Sequence, residues 1–171
     1  MSFTYISLHQ QTLGQDQNTI AEIIARLSQT NPARAQQFSR VDWISLRKAL
    51  ALKALELVQQ KMGGTFSKQY RRPNDATREY RDPQGECLGV ITKDNVQVGL
   101  FLHEGKVTLY WSEWHRDGHN KTPKKLSEEV QATYKDQCIQ AALQLLTNQQ
   151  VFRVEQEDGT VIYEAQIQEV K

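Results

Sequence analysis

Residues 86–112 hold three apolar segments, ECLGVITK, VQVGLFLH and KVTLYWS, broken only by Asp94-Asn95 and Glu104-Gly105. Short apolar runs joined by two polar residues predict an antiparallel meander, because a two-residue turn reverses a strand directly. These turns set a register in which Leu102 faces Val107, Leu100 faces Leu109, Val98 faces Trp111 and Ile91 faces Val98. Strand side chains alternate, so Cys87, Ile91, Val98, Leu100, Leu102, Val107, Leu109 and Trp111 share one face, which predicts the core. The other face is mixed: Leu88, Val90, Gly99, Phe101, His103, Thr108 and Tyr110, with Tyr110 opposite Gly99.

The flanking segments switch between this period and the helical one. Phe3 to His9 reads as a first strand. Asp16 or Asn18 can cap a helix carrying Ile20, Ile23, Ile24 and Leu27, which Asn31-Pro32 ends. Asp42 predicts the start of a longer helix, Trp43 to Met62, closed by Gly63-Gly64. Its stripe is Leu46, Leu50, Ala54, Leu57 and Val58, widened by Leu52 and Leu55. From Thr65 to Arg81 the pattern loosens into a short strand and a turn at Pro73-Asn74-Asp75; Asp82 to Gly85 forms another turn. A second long helix follows from Leu126 to Gln149. The last element is a hairpin across Asp158-Gly159, which as a two-residue turn pairs Val154 with Tyr163, Phe152 with Ala165 and Arg153 with Glu164. The expected architecture is one α+β domain over residues 1–171. It has a mainly antiparallel sheet, meander plus C-terminal hairpin, with two long helices packed on one face.

Composition changes little in that picture. The chain of 171 residues is 39% apolar and 24% charged, ordinary for a globular protein. No apolar run nears the roughly 18 residues of a membrane span, and the amino terminus lacks the order of a signal peptide. The expected location is cytoplasmic, with no membrane partner. Cys87 and Cys138 then read as buried thiols rather than a disulfide. Charge is uneven: residues 61–125 carry twelve basic and eight acidic side chains, residues 127–171 three and eight.

Candidate chemistry is sparse. His115 and His119 stand four apart, but Asp117-Gly118 between them breaks a helix and no further ligands complete a zinc set. Gly63-Gly64-Thr65 lacks the spacing and lysine of a phosphate-binding loop, and neither cysteine sits where a thiolate would be favoured. The expectation is no enzyme, no metal and no cofactor. The stronger signal is basic and aromatic. Tyr70, Arg71, Arg72, Arg78, Tyr80 and Arg81 form one cluster, and Trp114, Arg116 and Lys121 a second. Guanidinium forks grip phosphate bidentately, and rings stack on unpaired bases, a platform that Phe101 and Tyr110 would extend. Interleaved Asp75, Glu79, Asp82 and Asp117 lower the local charge and favour ion pairs instead.

Val98-Gly99-Leu100-Phe101, Trp111 with Trp114, Tyr134 in the second long helix, and Glu155 through Thr160 in the last hairpin carry one resemblance. Residues 86–167 resemble a small family encoded in cyanobacteria and red-algal plastids, known as a hypothetical chloroplast reading frame, the thirty-fifth of its series. The family's tryptophan pair is adjacent, whereas here it is split. The resemblance implies a small cytosolic α+β protein of accessory character and carries no catalytic residues. The resulting expectation is a non-catalytic accessory or assembly subunit that binds another protein or protein complex through the basic-aromatic surface. The alternative is an RNA- or single-stranded nucleic-acid-binding subunit of a ribonucleoprotein.

Overall fold

The structure, a computed structural model, describes residues 4–12, 25, 28–73, 80–116, 119–121, 124–147 and 151–165. The chain gathers into two compact units, Met1–Gly14 with Trp43–Tyr134, and Gln15–Asp42 with Lys135–Lys171. Its class is α+β, as the pattern of periods requires.

The first unit is built on an antiparallel sheet of β1 (Thr4–Thr12), β2 (Thr65–Ser67), β3 (Glu86–Lys93), β4 (Val96–His103), β5 (Lys106–Arg116) and β6 (His119–Lys121). The strands lie in the order β1-β5-β4-β3-β2, with β6 also paired to β5. Asp94-Asn95 and Glu104-Gly105 have positive φ at both positions, the geometry of the primed turns that match strand twist. Accordingly Leu100 pairs with Leu109, Val98 with Trp111, Leu102 with Val107 and Ile91 with Val98, as their spacing predicts.

One face of this meander meets α2 (Trp43–Met62), whose bounds are those expected. The helix ends as its Gly63-Gly64 signal requires: Gly63, at φ +83°, donates its N–H to the Gln59 carbonyl at 2.8 Å. The buried line along α2 is Ala51, Ala54, Leu55 and Val58, while Leu46, Leu50, Leu52 and Leu57 stay half-buried. Small residues line the contact because the helix comes close. A Cβ added at Gly89 would stand 2.7 Å from Leu55 Cδ1 and 2.8 Å from Phe66 Cε2. Polar ties fix the crossing: Lys48 to Glu86 at 2.8 Å, Lys93 Nζ to the Met62 carbonyl at 2.8 Å, and Arg47 to the Gly105 carbonyl at 2.9 Å. Lys61 reaches Glu129 at 2.7 Å on α3 (Lys124–Thr147), whose Leu126, Val130 and Tyr134 are buried.

One register expectation fails within β3. Cys87 pairs with Phe101 and Gly89 with Leu100, so Leu88 is an extra residue, a bulge. A bulge moves everything before it to the opposite face. Cys87 therefore packs with Val90, Phe101 and Tyr110, not with Ile91 and Leu100.

In the second unit, Ala25 and residues 28–30 are helical, and the expected stripe of Ile20, Ile23, Ile24 and Leu27 lies outside the described residues. Pro32 ends that run and also opens α1 (Pro32–Ser39), with Ala35 N–H bonded to the Asn31 carbonyl at 3.1 Å. Proline suits the first helical turn, where no N–H is needed. The hairpin of β7 (Val151–Glu155) and β8 (Val161–Ala165) forms, but slipped by one residue from the expected pairing. Val154 faces Ile162 and Arg153 faces Tyr163. The cause is the loop. Gly159 N–H bonds to the Gln156 carbonyl at 3.0 Å, and Gly159 at φ +85° then adds a bulge residue before Gln156 N–H meets the Thr160 carbonyl at 2.8 Å. Three loop residues replace the two assumed, so every partner moves by one.

Candidate contact surface on the second sheet face

The mixed face of the meander is covered by the chain on either side of residues 74–79. After β2, Ser67 Oγ accepts the Gln69 N–H at 3.0 Å and turns the backbone across the strands. Arg71 is then held by its main chain: its N–H donates to Gln97 Oε1 at 3.2 Å, and its carbonyl accepts from Gln97 Nε2 at 2.7 Å. A side-chain amide thus substitutes for a strand neighbour. Gln97 is itself anchored by its N–H to Ser112 Oγ at 3.1 Å.

Under this strap the rings interlock. Tyr70 meets Phe101 edge-on at 5.9 Å between centroids, and Phe101 meets Tyr110 likewise at 5.0 Å. Such pairs contribute about 0.5–1.5 kcal/mol each beyond their burial. The Tyr70 and Tyr80 hydroxyls share a hydrogen bond, and Gln84 N–H donates to the Tyr110 hydroxyl at 3.4 Å. Tyr80 is 5% exposed, Tyr110 5% and Phe101 3%. Burial, then the nearby Asp82 charge, pushes the Tyr80 hydroxyl well above its ordinary pKa. Burial likewise raises the Cys87 thiol, against a smaller lowering from the Gly89 backbone. A ring closed in on both faces offers nothing to a base, so Phe101 and Tyr110 are core and not an open platform.

The guanidinium groups are placed differently. Arg71 and Arg81 are exposed. Arg72 lies over the Tyr80 ring at 5.2 Å and pairs with Asp82 at 3.1 Å, the ion pairing that the interleaved carboxylates suggest. Both groups of that pair are about half exposed, which limits its worth to about 0–1 kcal/mol. Arg78 lies outside the described residues. Trp114 and Arg116 fall on β5 and Lys121 on β6, with Trp114 paired to Lys121 and Arg116 to His119. His115 and His119 are consequently strand residues, on β5 and β6. Gln97 ties the Arg71 main chain to β4 and, through Ser112 Oγ, to β5.

A further polar cluster escaped the sequence reading. In the second unit, Arg153 Nε and the Tyr163 hydroxyl both donate to the Asp136 carboxylate, and Arg153 reaches Glu155 at 3.4 Å. Burial first, then Asp136, pushes Tyr163 up to about 12. Burial alone would lower Arg153, but Asp136 and Glu155 outweigh it and raise its pKa. Neither group releases a proton near neutrality, so the cluster acts as a clamp. The slipped register is its only signal, since it sets Arg153 beside Tyr163.

Among the described residues no group of three His, Cys, Asp or Glu side chains converges as a metal site, and no helix is long and apolar enough to cross a membrane. Comparison with protein-family models, curated proteins and solved structures finds no match for this chain.

Proposed function

We propose that this chain is a non-catalytic accessory or assembly subunit that holds another protein through the arginine groups of its strap. The observation that carries the reading is the Arg71 main chain, locked by both atoms of the Gln97 amide while the Arg71 side chain is exposed. A backbone fixed before binding reduces the ordering cost of a contact. Arg81 adds a second exposed guanidinium, and such forks suit carboxylates on a partner surface. The burial of the Tyr80, Phe101 and Tyr110 rings beneath the strap favours a protein over single-stranded nucleic acid at this face, because base stacking needs an open aromatic face. The accessory character implied by the family resemblance agrees with this, and the proposed setting is the cytoplasm.

The test is affinity capture from native lysate, with and without nuclease, using wild type and an Arg71→Ala/Arg81→Ala variant. A partner protein retained after nuclease and lost with the variant is the expected result. Release by nuclease, with affinity falling steeply as salt rises, would replace the reading with the nucleic-acid one. Equal capture by the variant would remove the strap from either.

A further inference from the structure

The two edges of the main sheet are unlike. At one edge β2 spans only Thr65–Ser67, and the β3 strand behind it bulges at Cys87–Gly89. Short edge strands and bulges are the means by which proteins stop further strands from adding. At the other edge β1 runs for nine residues, paired to β5 from Thr4↔Arg116 to Thr12↔Thr108 without a shift in register. Among the described residues no strand pairs with its outer side. Its sequence, TYISLHQQT, contains no proline, lysine, arginine, aspartate or glutamate. The proline and fixed charges that commonly protect an edge are thus missing from this strand.

We infer that the outer edge of β1 pairs with β1 of a second copy of this chain, antiparallel about a two-fold axis at Leu8, joining two sheets into one. Three observations argue for that occupant. The strand is self-complementary: about Leu8, Ser7 falls opposite His9 of the second copy, Ile6 opposite Gln10, Tyr5 opposite Gln11 and Thr4 opposite Thr12. No fixed charge meets its like in this register, so the same patch serves both partners, as an isologous contact requires. The unbroken run, about 3.4 Å per residue, offers a continuous template on the order of 30 Å long. The blunted β2 edge gives no second template, so assembly closes at two copies and does not propagate into fibres.

Sedimentation velocity of the full chain over a wide dilution series tests this. The wild type is expected at twice the chain mass, dissociating on dilution. Ser7→Lys/His9→Lys and Ser7→Glu/His9→Glu each place like charges across the axis and are expected to be monomeric. An equimolar mixture of the two is expected to regain the dimer, because opposite charges then meet. A wild type that stays monomeric throughout would overturn the proposal, and would point to a foreign strand as the occupant. A dimer that survives in either double variant would overturn it too, as would a mixture of folded variants that fails to associate. Should a variant not fold, amide exchange of the wild type decides: β1 amides must lose protection on dilution while those of β4 keep it. Equal protection at all concentrations refutes the pairing.

Discussion

The hairpins β4–β5 and β7–β8 each set an aliphatic pair across their strands and are held by different forces. In β4–β5, Leu100 faces Leu109 with both side chains no more than 1% exposed, and α2 covers that side while the strap covers the other. In β7–β8, Val154 faces Ile162 with 41% and 38% exposure, and the opposite side is held by Asp136 through Arg153 and Tyr163. A register shift in the first hairpin would turn its whole apolar set out of two packed layers. The same shift in the second would exchange one half-exposed pair for another. Register is therefore fixed by burial in one place, and by loop geometry and a single carboxylate in the other.

The largest effect expected from this difference is at Leu100. Leu100→Ala removes a fully buried side chain between α2 and the sheet and should cost about 2–5 kcal/mol of global stability. Val154→Ala, at its exposed counterpart, should cost less than about 1 kcal/mol. Denaturant midpoints at constant slope measure both, and comparable losses would break the distinction.

Next comes Asp136→Ala. Charged hydrogen bonds contribute about 1.5–3 kcal/mol, and this change leaves Arg153 and Tyr163 without their shared acceptor. Partial exposure places the expected loss at the lower end. It should appear locally: amides of β7 and β8 exchange faster while those of β4 and β5 keep their protection. Uniform acceleration in both hairpins would mean that the clamp serves the whole chain.

Alkaline titration sharpens the same point at smaller amplitude. The folded-state pKa of Tyr163 is raised from 10.0 to about 12, so its contribution is complete below pH 10 and disappears as pH rises towards 12. In that window a phenolate would face Asp136, and the hairpin should loosen before the meander does. Phenolate absorbance should contain a late-titrating component that Tyr163→Phe removes and Asp136→Ala moves downward. An ordinary titration at this residue would show that Asp136 does not hold the hydroxyl.

Legibility followed the same division. The bounds of α2 and the β4–β5 register could be read because several signals agreed: Asp42 ahead of the helix, Gly63-Gly64 behind it, two turn pairs, and a face with no tolerable slip. α1 is not legible from Pro32 alone, because proline both stops a preceding helix and suits the first turn of the next. The Cys87–Gly89 bulge has no local signature, since the glycine that betrays it is explained only by Leu55 and Phe66 of other elements. Of the candidate surface, the exposure of Arg71 and Arg81 follows from charge. The burial of Tyr80 does not, because it depends on a long-range lid over Phe101 and Tyr110.

The smallest expected effect isolates the loop itself. Deleting Glu157 leaves Asp158-Gly159 as a two-residue turn between Gln156 and Thr160, which suits a primed hairpin. The bulge disappears, yet Val154 still faces Ile162 and Arg153 still faces Tyr163, because one residue is lost from the loop and none from the ladder. The Asp136 clamp should therefore persist, with stability changed by no more than about 0.5 kcal/mol. Cross-strand proton contacts between Val154 and Ile162 would report the retained register. If the shortened hairpin instead sets Val154 against Tyr163, the carboxylate follows the register and does not help to choose it. In the meander the two packed layers permit no such exchange, so deletion of Glu104 there should unfold the chain before it shifts a strand.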